Sequence, residues 1–236
     1  MDWVDLARRI VPRGLRRSVQ RFVSFQGVKR RYFARRDPLA NVLEGDGDGV
    51  DVPFRLGVVR NRSFRHTAYV AACRELRVPF RVVDLARSDW LDVVRSCGCD
   101  AFVAWPDAVS TPSAKLLKDR LDLLETTLGR RVVPSASERW MYEDKVRLAD
   151  WLAVHDVPHP TTWVFHDRAE ADAFAADCRL PVVTKTAFGA AATGVRILRR
   201  RGQVRATVRR AFGRGLVAAG HDPRDRQWGL VLFQEY

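Results

Sequence analysis

The sequence predicts an α/β protein in two parts, and three observations carry that prediction. Between Arg55 and Pro134, short apolar runs alternate with amphipathic ones. After Pro134 a long helical segment leads into strands joined by a small-residue hairpin. Within that second part, the stretch VVTKTAFGAAATGV, Val182 to Val195, sets a lysine at the end of an apolar strand just before a loop of small residues.

Taken in order, residues 1–36 read as one or two basic amphipathic helices. Val4, Ile10, Val11, Leu15, Val19, Phe22, Val23 and Phe25 supply the apolar side, with a break near Pro12 and Gly14. This segment holds eleven Arg or Lys against two Asp, so it carries +9 of the chain's formal charge of +13. The remaining 200 residues carry +4, and the high pI therefore describes an extension more than a folded part. Such a helix suits an anionic lipid surface, an acidic partner or a nucleic acid; it equally suits a solvated cap on the neighbouring domain. The stretch EGDGDGVDVP, Glu44 to Pro53, reads as a flexible acidic linker.

FRLGVVR, FRVVDL, DAFVAWP and RVVP are the strand candidates of the first part. TAYVAACREL, DWLDVVRSC and SAKLLKDRLDLLETTL are the helices between them. Apolar strands alternating with helices imply a parallel sheet covered on both faces, a small doubly wound domain. LGVVRNRSFRH follows the first strand and holds no GxGxxG, which argues against a dinucleotide site there. In the second part, SASERWMYEDKVRLADWLAVHD reads as one long helix, with Ser135 or Ser137 as its N-cap. VPHPTTWVF enters a strand, RAEADAFAADC is a helix, PVVTK a strand, VRILRR a second strand and RGQVRATVRRAFG a helix. GLVLFQEY is a final strand, expected to belong to a sheet whose remainder the sequence does not contain.

Several signals are better explained by structure than by chemistry. His155 and His159 are separated by Pro158, and Pro160 follows, so no helix aligns them for a metal. Cys97 and Cys99 form CGC without a second ligand pair, the pattern of a turn. The four cysteines have no disulfide-framework spacing, which points to a reduced, cytoplasmic setting. No apolar run spans a bilayer and no signal peptide is expected, leaving peripheral membrane association through residues 1–36 as the one membrane role. Trp90, Trp105, Trp140, Trp151, Trp163 and Trp228 are assigned to the core, and Trp3 to an interface. RAFGRG and DPRDR read as solvated charge, which argues against a nucleic-acid groove.

Gly189 and Gly194 have the spacing of a Walker A loop, but Val195 and Arg196 stand where that motif needs Lys and Ser or Thr. The unit is instead a hairpin with a small-residue tip. Small residues let backbone N–H groups approach phosphate oxygens, and Lys185 on an apolar strand needs an anion or water. An edge-strand lysine beside a flexible hairpin is the plainer reading of the loop taken alone.

The ordered set changes that weighting. Asp144–Lys145 on a helix, then VPHPTTWVF, PVVTK, the small-residue hairpin and VLFQEY resembles the ATP-grasp superfamily, its amino-acid ligases of the RimK and glutathione synthetase type above all. The resemblance covers about residues 51–236. Residues 1–50 read as basic extension and acidic linker from their composition, and the resemblance implies 51–134 as a pre-ATP-grasp-like α/β domain and 135–236 as the first, incomplete half of an ATP-grasp fold. It further implies that Lys145 and Lys185 meet the ATP phosphates. Gly189, Ala190, Ala191, Ala192, Thr193 and Gly194 would cover the β- and γ-phosphates, and Gln234, Glu235 and Tyr236 would read the adenine edge. Magnesium ligands and catalytic groups belong to the family's second half, which lies beyond Tyr236, so the chain reads as a fragment that is inactive alone.

The activity so implied is ATP-dependent carboxylate–amine or carboxylate–hydroxyl ligation through an acyl phosphate, on a small-molecule or peptide substrate. The alternatives are a small-molecule kinase of the same fold, or a basic scaffold that docks through residues 1–36 and keeps a degenerate nucleotide fold. GAAATG holds fewer glycines than such loops usually do, which implies a stiffer lid.

Overall fold

The computed structural model describes residues 37–47, 52–61, 63–106, 111–188, 192, 194–218 and 226–236. The basic segment 1–36, and with it every expectation placed there, lies outside the described residues. The chain divides after Arg139 into two compact units. Among the described residues, no helix is long and apolar enough to cross a membrane.

The first unit is built on a five-stranded sheet. Its elements are β1 (Glu44–Gly45), β2 (Leu56–Val59), α1 (His66–Glu75), β3 (Phe80–Val83), α2 (Trp90–Ser96), β4 (Ala101–Val103), α3 (Thr111–Asp122) and β5 (Arg131–Val133). The strand order is β1-β3-β2-β4-β5. β2 pairs in parallel with β3 (Val59↔Val83) and with β4 (Val58↔Val103), and β4 pairs in parallel with β5. The period-2 alternation sends successive valines to opposite faces. Val59, Val83, Phe102 and Val132 meet Val94 of α2 and Leu121 of α3, while Val58, Phe80 and Val82 meet Val70 and Cys73 of α1. Both faces are thus covered, as the doubly wound pattern requires.

The stretch expected to be a flexible linker begins differently. Glu44 and Gly45 form an antiparallel edge strand against Arg81 and Phe80, and the Val82 N–H donates to the Leu43 carbonyl at 2.6 Å. A Cβ on Gly45 would sit 2.6 Å from Phe80 Cε1, so the glycine that reads as linker is what lets the strand lie over that ring. The sheet is therefore mixed, with one antiparallel edge, rather than wholly parallel.

α3 continues as a π-helical turn over Leu123–Thr127, where the Leu128 N–H donates to the Leu123 carbonyl at 2.9 Å. The segment expected to be one long helix is two, α4 (Ala136–Met141) and α5 (Lys145–Val154). Glu143 takes φ +56°, and the Asp144 carboxylate caps α5 by accepting the Val146 and Arg147 N–H groups, each at 3.1 Å. An aspartate that bonds the backbone ahead of it starts a helix rather than continuing one. Ser135 precedes α4, with its N–H and hydroxyl both donating to Glu138, the pattern of a capping residue.

The second unit continues with β6 (Thr162–Phe165), α6 (Arg168–Asp177), β7 (Val182–Lys185), β8 (Arg196–Leu198), α7 (Arg201–Phe212) and β9 (Val231–Glu235). Its sheet runs β6-β9-β7-β8, antiparallel throughout. β9, expected to belong to a sheet outside the sequence, is instead an inner strand of this one. Phe165, Val182, Leu198, Val231 and Phe233 pack under Ala171, Ala175, Val204, Val208 and Ala211 of α6 and α7. Small alanines on these helices let them approach the sheet closely.

Two further expectations are corrected. Trp140 and Trp228 are exposed, at 39% and 59%, so they do not serve the core. The plainer reading of Lys185 as an edge-strand residue fails, because β7 lies between β9 and β8. All four cysteines are free and buried, and Gly98 turns the chain between Cys97 and Cys99 at φ +64°.

Candidate functional site

The site is set on the second sheet's other face. Thr162 pairs with Gln234, Gln234 with Val183, and Val183 with Ile197, so these four residues lie across one face. Thr162, Val183, Lys185 and Gln234 are half-buried, and Ile197 is exposed. Lys185 Nζ donates to Gln234 Oε1, and Gln234 Nε2 donates to Thr162 Oγ1 at 2.9 Å. A row of polar groups thus crosses three strands, with Lys185 at the end that leads into the small-residue loop.

Lys145 is brought to the same place by a different element. It is the first residue of α5, and its N–H donates to the Ala187 carbonyl at 2.9 Å. An antiparallel bridge between Asp144 and Phe188 adds a second tie. Burial pulls the Lys145 ammonium below its ordinary pKa, and the charge of Lys185 adds to that. The carboxylates of Glu143 and Asp144 act in the opposite direction. Both lysines flank Ala187, Lys145 through its backbone bond and Lys185 two residues earlier in the chain. A pair of cations held together on a partly desolvated surface is suited to receiving a polyanion.

The loop leaves from and returns to a fixed neck. Ala187 has both backbone groups held: its carbonyl by Lys145, its N–H by Gln227 Oε1 at 2.7 Å. The Gln227 amide also donates to the Leu230 carbonyl at 3.1 Å. Across the neck, the Thr186 N–H donates to the Gly194 carbonyl at 3.3 Å, and Thr186 Oγ1 donates to the Phe188 carbonyl at 2.9 Å. A Cβ on Gly194 would lie 2.0 Å from Thr186 Oγ1, so only glycine closes this neck without displacing a buried side chain.

Of the residues expected at the site, Lys145, Lys185, Gln234 and Gly194 come together around this neck and sheet face. Ala192 is exposed at φ +55°, while Gly189, Ala190, Ala191 and Thr193 lie outside the described residues. Glu235 turns toward Thr161: its Oε2 accepts the Thr161 hydroxyl at 2.9 Å and the Thr161 N–H at 3.3 Å, which holds its carboxyl below the usual range. Tyr236 is exposed, with the Arg199 guanidinium 5.9 Å from its ring centroid. Gln227, Thr186 and Thr162 are not picked out by the sequence. Gln227 sits in a polar loop with no motif around it, and its role follows only from the fold. Among the described residues no group of three or more His, Cys, Asp or Glu could hold a metal ion.

No family model matches the chain, and no curated protein matches it in sequence. Solved structures do match in fold. The biotin carboxylase domain of Hydrogenobacter thermophilus 2-oxoglutarate carboxylase, solved with MgADP, ADP and bicarbonate, superposes with a TM-score of 0.54. It is 18% identical over 78% of this chain and 44% of that one. D-alanine–D-alanine ligase from Bacillus anthracis gives 0.50, with 14% identity over 78% and 57%. A RimK domain ATP-grasp protein from Sphaerobacter thermophilus gives 0.49, with 18% identity over 77% and 64%. The chain spans about half the length of the structures it resembles.

Proposed function

From a chain that carries part of the ATP-grasp ligase fold, we propose that the second unit binds ATP as part of a ligase that joins a carboxylate to an amine or hydroxyl. Lys145 and Lys185 meet the phosphates. The loop from Gly189 to Gly194 covers them, and the end of the chain's last strand, Gln234 to Tyr236, reads the base with the groups that the ladders to β6 and β7 leave open. The observation that carries this reading is that both lysines flank the neck of the loop: Lys145 donates its N–H to the Ala187 carbonyl at 2.9 Å, and Lys185 ends β7 two residues before Ala187. The sheet face beside them offers apolar area from half-buried Val183 and exposed Ile197 and polar groups from Gln234 and Thr162. That combination suits a heterocyclic base.

In the proposed reaction a substrate carboxylate attacks the γ-phosphorus, the bond to the β–γ bridging oxygen breaks, and ADP leaves. An amine or hydroxyl then displaces phosphate from the acyl phosphate. This chain's share is binding and orientation: two cations offset the polyanion, and the loop shields it from water. A thermal-shift titration with ATP tests the binding. A hundredfold excess over Kd stabilises the wild-type chain by about 2.7 kcal/mol. Lys185→Ala removes that shift while leaving the ligand-free midpoint near the wild-type value; an undiminished shift in the variant overturns the assignment. With magnesium and ATP the chain is expected to bind without turnover, and measurable ADP release overturns that part alone.

A further inference from the structure

The first unit holds a second charged site, separate in its residues from the proposed nucleotide groups. A cleft of about 470 Å³ opens at the carboxyl ends of β2 and β3, lined by Leu43, Arg60, Arg81, Val82, Asp84 and Val93. That volume lies in the range of small-molecule sites, roughly 300–1,000 Å³. The backbone puts opposite charges side by side. Val59 and Val83 pair in parallel register, the Arg60 N–H donates to the Val83 carbonyl at 2.7 Å, and so Arg60 and Asp84 follow one another at adjacent strand ends. Arg81 enters from β3, across from Glu44 of the edge strand.

These groups do not neutralise each other. Among the described residues, no carboxylate lies within the 4.0 Å ion-pair limit of Arg60 or Arg81, and no cation within that limit of Asp84. The other two charged residues at the cleft are engaged elsewhere. Glu44 is 3.7 Å from Arg55, and Arg87 forms a two-bond pair with Asp89 at 2.7 Å. Among the described residues, the Arg60 side chain reaches only the Ala40 carbonyl, at 3.5 Å. Asp84 accepts the Ala86 N–H with Oδ1 at 2.9 Å, and its second oxygen has no partner among the described residues. Arg60, Arg81 and Asp84 are all half-buried. Half-buried charges that share a cleft usually collapse into pairs, because each loses hydration. Here three such charges line one cleft without pairing among the described residues.

We propose that this cleft binds a small molecule carrying an oxyanion next to a hydrogen-bond donor. The oxyanion, a phosphate or a carboxylate, is held by Arg60 and Arg81, and a hydroxyl or ammonium of the same molecule donates to Asp84. Guanidiniums recognise both oxyanions through paired N–H groups. An acid at the end of the second parallel strand of a doubly wound sheet is well placed for a ligand hydroxyl. This inference does not depend on the nucleotide reading, since none of its residues belongs to the second unit.

The test uses the full chain labelled with 15N and three probes: inorganic phosphate, glycerol 3-phosphate and alanine. Binding is expected to shift the amides of Leu43, Glu44, Val82 and Val93 and the side-chain Nε–Hε signals of Arg60 and Arg81. Glycerol 3-phosphate stronger than alanine assigns the oxyanion as phosphate, and the reverse order assigns carboxylate. Arg81→Gln should weaken the preferred probe at least about tenfold, with Arg81→Lys between it and wild type. Asp84→Asn should weaken the preferred organic probe but not inorganic phosphate. The wild-type side-chain signals read the site even if a variant fails to fold. No response of the cleft residues to any probe at millimolar concentration overturns the proposal. So does binding that Arg81→Gln leaves unchanged, or shifts confined to residues outside the cleft. ATP titration of Arg81→Gln should match wild type, so failure of the cleft and failure of the nucleotide site are read separately.

Discussion

Lys145 carries a cost that its function would explain. Its ammonium is partly desolvated and faces Lys185, so the fold disfavours the charged form. The folded pKa lies below the ordinary 10.5, so the unfolded chain binds the proton more readily between those two values. Stability is lost as pH falls from 10.5 through the folded pKa, and the loss is complete below it. Lys145→Met keeps the aliphatic stem and removes the charge. It should raise the ligand-free melting temperature at neutral pH, by a margin that shrinks toward pH 10.5, while abolishing ATP-induced stabilisation; a lower ligand-free melting temperature would contradict this. Gly194 makes the opposite case, a residue with no side chain to contribute. Gly194→Ala drives a methyl onto Thr186 Oγ1 and should cost about 1–3 kcal/mol in urea unfolding. Adding Thr186→Ala should relieve only part of that, because the Thr186 Cβ remains 3.0 Å from the added Cβ.

Among the elements, the π-helical turn after α3 and the entry to α4 are tied through one side chain. Arg139, 1% exposed, pairs with Asp122 at 2.9 Å and Glu125 at 2.7 Å and donates to the Pro134 carbonyl. Its partners keep some contact with water, at 35% and 26% exposure, so they can resolvate when it is removed. Arg139→Leu is therefore expected to cost about 3 kcal/mol, the lower end for breaking a buried pair, measured by denaturant unfolding. Nearly every strand and helix among the described residues was legible in the sequence, because valine-rich runs and helical periodicity are local signals. The break at Tyr142–Asp144 was not. Apolar residues recur on both sides of it, and only the Asp144 carboxylate, a cap by chemistry, marks the start of α5. The edge strand at Glu44–Gly45 was hidden for another reason: acidic and glycine residues read as loop, and what makes them a strand is the ring of Phe80, far along the chain.

At the scale of the whole molecule, the lysines and loop of the proposed site could be read from sequence, but the neck that fixes them could not. Gln227 and Thr186 act through neighbours that only folding supplies, and the juxtaposition of Arg60 with Asp84 is a fact of strand register. The thiol inventory is a molecule-wide property with a simple test. All four cysteines are free and buried, so a thiol reagent should find close to none in the native chain and four after denaturation. Reducing agent should leave the melting temperature unchanged; a reducing-agent-dependent shift would show a disulfide.

The inner position of β9 also bears on how the protein is made. β6 and β7 do not pair with each other; residues 231–235 lie between them. Chains leave the ribosome at roughly 5–20 residues per second, so β7 and β8 emerge seconds before the strand that completes their sheet. During that interval β6 is unpaired, and the β7–β8 hairpin shows an open edge to every other nascent chain nearby. Nascent chains that stall between Leu198 and Val231 should accordingly be the aggregation-prone and chaperone-bound species, and release should follow translation of VLFQE.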